Sequence, residues 1–196
     1  MSPATVAFTG TDEELVRRLL GRPPRLPYVV ATRCPGGTPQ VLQADPVFRE
    51  DKRWKPFPTI YWLVCPRLKK AVARLEQEGG SKMFTQRLRD DPPFREEYLA
   101  GQRELIAFRL SEARRLIGGP LPPDLETVLN EANIAGSRDL FGVKCLHAHV
   151  AHALAGGRNP IGRAILERIG LCRPERPCLS PAALAAPTRP AGGARP

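Results

Sequence analysis

The reactive side chains of this sequence are concentrated in one stretch, Gly142-Val143-Lys144-Cys145-Leu146-His147-Ala148-His149-Val150-Ala151-His152. It contains all three histidines of the 196-residue sequence and one of its five cysteines. If it is helical, Cys145, His149 and His152 lie on one stripe, because positions i, i+4 and i+7 share a face. His147 then falls on the opposite side. One thiolate and two imidazoles suit a transition metal, and an amphipathic helix with a buried thiol and hydrogen-bonded histidines fits the same pattern.

A second informative stretch, residues 59–64, reads Thr-Ile-Tyr-Trp-Leu-Val and runs into Cys65-Pro66. Its β-branched and aromatic content predicts a strand, and its nearly continuous apolar character predicts a central place in the sheet. Proline favours the first helical position, so Cys65 should cap the next helix. The helix dipole there favours a thiolate, which makes Cys65 a candidate ligand or nucleophile. A small buried residue at a tight turn fits equally well.

The remaining patterns predict an α+β fold. Residues 28–32 and 40–43 are typical of strands, which a turn containing Cys34-Pro35 would join into a hairpin. Residues 45–58 are predicted to form an irregular basic loop that holds Trp54. Apolar residues at helical spacing predict about seven helices along the rest of the chain. Because strands come early and helices late, we expect a small three-stranded sheet near the N-terminal half, packed against these helices.

Composition predicts one α+β domain over residues 1–172 and a tail over residues 173–196. The tail is rich in Pro, Ala, Gly and Arg, cannot bury apolar surface, and is predicted to be disordered. Cys172 and Cys178 lie at this edge with a spacing that is not typical of metal ligands, so we assign them no function. The chain has no long apolar run and no signal-peptide pattern, which predicts a cytoplasmic protein. Its cysteines are then expected to be free, metal-bound or catalytic.

The formal net charge of +10 permits a polyanion as partner. Phosphate contacts would come from basic residues of the N-terminal half, with Trp54 as a stacking residue. These basic residues are Arg17, Arg18, Lys52, Arg53, Lys55, Arg67, Lys69 and Lys70. The charges are spread over several segments, so solubility alone explains the same net charge.

Two stretches resemble one known family. Residues 57–68, Phe-Pro-Thr-Ile-Tyr-Trp-Leu-Val-Cys-Pro-Arg-Leu, continue to Glu78-Gly79-Gly80, and residues 142–163 centre on Lys144-Cys145-Leu146-His147-Ala148-His149. With Cys34-Pro35, they resemble an uncharacterised bacterial family, the domain of unknown function number five hundred and one, over roughly residues 12 to 170. The family has no established activity. The resemblance implies a genetic association with a septum-formation coiled-coil protein and an exopolyphosphatase, and hence cell-division proteins or polyphosphate as candidate partners.

Three hypotheses of function follow. In the first, Cys34, Cys65 and Cys145 form a metal site with at least one of His147, His149 and His152, either a Cys₃His zinc site or an iron–sulfur cluster. The three sulfurs would then lie within about 4–8 Å of one another. In the second, Cys65 is the nucleophile of a metal-free enzyme, with His147 or His149 as its base. In the third, the chain is a basic module that binds a polyanion or cell-division proteins.

Overall fold

The computed structural model describes residues 10–172, which contain seven α-helices and five strands. In chain order these are α1 Gly10–Leu20, β1 Tyr28–Arg33, β2 Pro39–Ala44, β3 Val47–Glu50, β4 Arg53–Pro56, β5 Tyr61–Leu63, α2 Pro66–Gln77, α3 Gly80–Asp90, α4 Pro92–Ile117, α5 Pro123–Glu131, α6 Leu146–Leu154 and α7 Pro160–Ile169. The predicted α+β class is confirmed, with a three-stranded sheet and mostly helical content. Cys178 and the predicted tail lie outside the described residues. None of the described helices is both long and apolar enough to cross a membrane.

The main sheet is antiparallel, in the order β1-β2-β5. The prediction that residues 59–64 form a central strand is therefore wrong, because β5 pairs with β2 and lies at an edge of this sheet. Its continuous apolar character has another cause. Leu63 faces the largest core cluster, whereas Trp62 packs against the cluster that contains α1. Helices cover both faces of this edge strand, so both sets of alternating side chains are apolar.

A second sheet replaces the irregular loop predicted for residues 45–58. Strands β3 and β4 form an antiparallel hairpin, with Glu50 opposite Arg53. The two residues between them, Asp51 and Lys52, both have positive φ angles, 48° and 64°. A two-residue turn of this kind matches the twist of a hairpin, but it usually contains glycine. The sequence lacks that signal at this turn, which explains why the hairpin was missed.

The two faces of the main sheet have different neighbours. On one face, Val30 and Leu42 pack with Val16 and Leu19 of α1. On the other face, Val41 and Leu63 stand opposite each other and join the core built from α2, α3, α4, α6 and α7. Helix α6 is central to that core and contacts β5, β2, α2 and α7. This position carries the Cys–His segment into the middle of the molecule.

Helix α4 is tied to the rest of the fold by one buried cation. The Arg109 side chain is fully buried, and its guanidinium donates hydrogen bonds to the carbonyl oxygens of Pro58, Leu129 and Ala132. Two of these carbonyls lie at the C-terminal end of α5, where helical partners run out. Burial lowers the pKa of Arg109 to about 10, so the side chain stays charged at neutral pH.

Candidate functional site

Helix α6 begins at Leu146, so Cys145 is not part of the helical face that was predicted to carry Cys145, His149 and His152. Cys145 precedes the helix in an extended conformation, with φ −138° and ψ 109°, and its side chain does not cap the helix. A carboxylate from α2 does so instead, since Glu76 Oε1 accepts a hydrogen bond of 2.7 Å from the Leu146 amide. The Cys145 thiol therefore leaves the face that His149 and His152 share. Its Sγ lies 3.9 Å from Nδ1 of His147, which was expected on the opposite side.

Three side chains converge at this helix start. Nδ1 of His147 lies 3.2 Å from Oε1 of Glu76, and the three ligand atoms of Glu76, Cys145 and His147 all lie within 4.8 Å of one another. Across residues 10–172 this is the one such group of three or more His, Cys, Asp or Glu side chains. On the other edge of the ring, Nε2 of His147 lies 3.1 Å from the Lys69 carbonyl oxygen. A carbonyl only accepts, so Nε2 carries a proton, and in the neutral ring the Nδ1 lone pair points at Cys145 and Glu76.

The electrostatics of this group favour a positive charge. Contact with the Cys145 thiol is the largest cause of a raised His147 pKa, and the Glu76 carboxylate and the Lys69 carbonyl act in the same direction against partial burial. The His147 and Glu76 side chains remain 26% and 29% exposed. A cation at this position is therefore attracted by the protein and accessible to water.

The other two histidines form a separate, fully internal group. Nδ2 of Asn159 lies 3.3 Å from Nδ1 of His149 and 3.3 Å from Nδ1 of His152. Oδ1 of the same amide accepts a hydrogen bond of 2.9 Å from the Gly162 amide and caps α7. Because the amide nitrogen can only donate, both Nδ1 atoms accept, and each neutral imidazole carries its proton on Nε2. Asn159 therefore joins α6 to α7.

Burial keeps both of these histidines neutral. His149 is 1% exposed and His152 is 4% exposed. Desolvation lowers the pKa of His149 to about 3 and that of His152 to about 4. Aromatic rings complete the packing, with Tyr98 tilted beside His149 and Tyr61 stacked on His152 at 5.6 Å between centroids.

This burial predicts a loss of stability in mild acid. The unfolded chain binds protons at an ordinary histidine pKa near 6.5, whereas folded His152 stays neutral down to about pH 4. The contribution of these neutral histidines to the free energy of unfolding is therefore fully present above pH 6.5. It decreases towards pH 4, by up to about 1.4 kcal/mol per pH unit for each such histidine. His147 opposes this trend because its pKa is raised. Urea titrations at pH 7.5, 6 and 5 should show midpoints that decrease, and equal midpoints would contradict neutral burial.

The cysteines of the described residues lie in two core clusters. Cys34 and Cys65 are buried in the largest core cluster together with Cys172, and Sγ of Cys65 lies 3.4 Å from Sγ of Cys172. Cys145 packs instead against the cluster around Ile60. Ligand atoms of Cys34, Cys65 and Cys145 do not form a group within 4.8 Å of one another in the described part of the chain. The pair of Cys65 and Cys172, to which the sequence assigned no joint role, is close enough to form a disulfide or share a soft metal ion.

The candidate polyanion-binding residues lie on three elements, of which α1 carries Arg17 and Arg18. Lys52, Arg53, Trp54 and Lys55 belong to the β3–β4 hairpin, and Arg67, Lys69 and Lys70 belong to α2. Arg67 donates a hydrogen bond of 2.6 Å to the Leu171 carbonyl, and Lys69 donates one of 3.3 Å to the Leu19 carbonyl. The Trp54 ring packs against the core and is covered by the Arg49 guanidinium at 5.0 Å. Arg67, Lys69 and Trp54 therefore already contact other parts of the fold.

Sequence reasoning missed Glu76 and Asn159. Glu76 lies near the end of α2, 70 residues before the amide that it caps, and no local pattern joins the two. Asn159 was recognisable as the cap of α7 because Pro160 follows it. Its second contact, to two histidines, becomes visible only when α6 and α7 are packed together.

The fold and this site define an α+β protein with a Glu/Cys/His group that could hold a metal ion. Residues 30–167 match the model of a family described as "Protein of unknown function (DUF501)", which is more than half of the chain, and the chain belongs to that family. The resemblance noted in the sequence is confirmed. No curated protein and no solved structure matches the chain.

Proposed function

We propose that this protein binds a zinc ion through Cys145 Sγ, His147 Nδ1 and a carboxylate oxygen of Glu76. The observation that supports the proposal is the mutual approach of these three ligand atoms to within 4.8 Å. Zinc binds sulfur at about 2.3 Å and imidazole nitrogen or carboxylate oxygen at about 2.0–2.2 Å. Tetrahedral bonds of these lengths place nitrogen and oxygen about 3.4 Å apart, and sulfur and nitrogen about 3.6 Å apart. The corresponding separations are 3.2 Å and 3.9 Å.

The surroundings of His147 also fit a metal ligand. A ligating imidazole usually donates its other N–H to a carbonyl or carboxylate, which fixes the ring and its tautomer. The Lys69 carbonyl accepts from Nε2 in this way. Oε1 of Glu76 is likewise oriented by the Leu146 amide. Both ligands are therefore preorganised by groups outside the proposed coordination shell.

The donor set favours zinc over an iron–sulfur cluster. Clusters are held mainly by thiolates, whereas one sulfur, one nitrogen and one oxygen suit a borderline-soft ion such as Zn²⁺. Three protein ligands leave a fourth position, and the partial exposure of Glu76 and His147 gives water access to it. We therefore propose a zinc site with a solvent-accessible fourth position, the coordination pattern of zinc sites that act on bound water or substrate.

Metal analysis of the full-length protein, purified without chelators or metal-affinity steps, tests this proposal. We expect about one zinc per chain in the wild type, and a loss of affinity of at least about tenfold in Cys145→Ser and in His147→Gln, because even residues behind the ligands usually change affinity by that factor. Replacement with Co²⁺ should give a sulfur-to-cobalt charge-transfer band that Cys145→Ser removes. Circular dichroism of each variant separates loss of metal from loss of fold.

Cys34→Ser is the matched control, since Cys34 is a buried cysteine outside the Glu76 group. We expect this variant to retain zinc. Loss of metal from folded Cys34→Ser together with Cys145→Ser would instead support the Cys34, Cys65 and Cys145 set. If Glu76 only caps α6 and the group binds no metal, none of the proteins should contain stoichiometric zinc or iron. That result would reject the proposal.

Location and partners are also proposals. The sequence predicts a cytoplasmic protein, and the family resemblance favours cell-division proteins or a polyanion as partners. Salt-dependent retention on heparin and on polyphosphate resins tests the polyanion. A variant with Lys52 and Lys55 both changed to Gln should elute at lower salt if the hairpin makes phosphate contacts.

A further inference from the structure

A cleft lies on the sheet face opposite α1. Val29, Gln43 and Tyr61 stand side by side across β1, β2 and β5, and they form its floor. Helix α4 supplies the facing wall, through Leu105 and Phe108 among others, and the end of α6 closes one side. The volume of this sheet–α4 cleft is about 560 Å³, within the range of small-molecule sites. Its lining includes none of the proposed zinc ligands.

The charged groups of the cleft are mainly acidic, although the whole chain is basic. Asp45, Glu104 and Glu112 line it, and Arg115 is the one lining cation among the described residues. Glu112 is paired with Arg115 at 2.9 Å. Glu104 is paired at 3.2 Å with Arg158. With both of these carboxylates paired, Asp45 is the one lining carboxylate without an ion pair among the described residues, although Arg115 attracts it.

Asp45 is a partly buried carboxylate without a side-chain partner. The carboxylate has no hydrogen bond or ion pair to any residue that the structure describes, although the charge of Arg115 attracts it and that of Glu112 repels it. Burial is the main cause of its raised pKa. A buried anion without a partner is unfavourable, and a cation bound beside it would offset that cost.

His152 presents a second polar group without a partner. The side chain is 4% exposed and lines the cleft. Its Nδ1 accepts from Asn159, so its Nε2 carries the proton, and no described residue accepts a hydrogen bond from that atom. A Cβ at Gly157 would lie 1.9 Å from Nε2, so glycine is needed at this position for the ring to keep its place. The cleft therefore contains a donor held in one orientation by the core.

Aromatic rings form the apolar part of the walls. The Tyr61 ring is stacked on His152, and Phe108 is 37% exposed beside the cleft. Such surfaces suit the carbon skeleton of a ligand, and a cation is also attracted by aromatic faces.

We propose that the sheet–α4 cleft binds a small organic amine, whose ammonium group pairs with Asp45 and whose oxygen atom accepts a hydrogen bond from Nε2–H of His152. Three observations support this: the carboxylate without an ion pair, the oriented donor and the aromatic walls. The inference is independent of zinc, because the two sites share no residue.

Three probes that differ in charge test the proposal. Tyramine carries an amine, tyrosol a neutral hydroxyl and 4-hydroxyphenylacetate a carboxylate on the same phenol scaffold. We expect NMR titrations of the full-length protein to give a dissociation constant for tyramine at least about tenfold below that for tyrosol, and no saturable binding of the acid. Bound tyramine should shift the imidazole Nε2–H signal of His152 and leave that of His149 unchanged.

The variant Asp45→Asn should remove the preference for tyramine over tyrosol. Asp90→Asn is the matched control, because Asp90 is an exposed carboxylate at the end of α3. It should bind tyramine like the wild type. Equal binding of tyramine and tyrosol, or an unchanged preference in Asp45→Asn, would overturn the proposal, and so would the absence of binding by all three probes.

Discussion

Replacing Arg109 with alanine is expected to lower the free energy of unfolding by about 3–5 kcal/mol, because the change removes charged hydrogen-bond donors and a large buried side chain. The guanidinium is fully buried and donates to the carbonyls of Pro58, Leu129 and Ala132. Alanine would leave these acceptors without that donor and would create a cavity between α4 and α5. The effect should therefore exceed that of an ordinary core truncation.

Urea or thermal unfolding followed by circular dichroism measures this loss. Arg103→Ala is the matched control, because Arg103 belongs to the same helix and is exposed. That change should alter stability by less than about 0.5 kcal/mol. Arg109→Met, which keeps much of the volume, should be destabilised less than Arg109→Ala. A change below about 1 kcal/mol in Arg109→Ala would show that the three carbonyls find other donors.

Replacing Asn159 with alanine should cost about 2–4 kcal/mol. The change removes the side-chain cap of α7, which is typically worth about 1 kcal/mol. It also leaves Nδ1 of both His149 and His152 without the donor that now satisfies them, inside a core where each is almost fully buried. Unfolding at pH 8, where both imidazoles are neutral in the folded and unfolded chain, measures this effect without a contribution from titration.

The variant Asn159→Asp distinguishes the two roles of this side chain, which are to cap α7 and to donate hydrogen bonds to the two histidines. Aspartate retains an oxygen that can accept from the Gly162 amide, but it cannot donate to the histidines. Its negative charge would raise the pKa of both imidazoles. We therefore expect a variant that is destabilised at pH 8 and recovers stability as the pH is lowered to 6, opposite to the wild type.

The exposed Asn130 of α5 provides the control for this pair of variants. Asn130→Ala should leave stability and its pH dependence nearly unchanged. An Asn159→Asp protein with the same pH profile as the wild type would contradict the assigned hydrogen bonds between Asn159 and the two histidines.

The sequence alone determined the secondary structure of most of the chain, the α+β class and the family. These depend on local signals: apolar periodicity, β-branched runs and prolines at the first helical position. The proline after Cys65 and the proline after Asn159 both begin helices as predicted. Local signals also have a limit, since the turn at Asp51 and Lys52 lacks glycine and its hairpin was missed.

The tertiary structure decided which reactive side chains meet. A one-residue difference at the start of α6 moves Cys145 from the face of His149 to the side of His147. Helical spacing cannot resolve such a difference, because the start of a helix depends on the group that caps it. Here that group is Glu76, which comes from α2 and reaches the cap only through packing. The contact between Cys65 and Cys172 also depends on packing. The two residues are 107 positions apart, and no pattern along the chain indicates that the core brings them together.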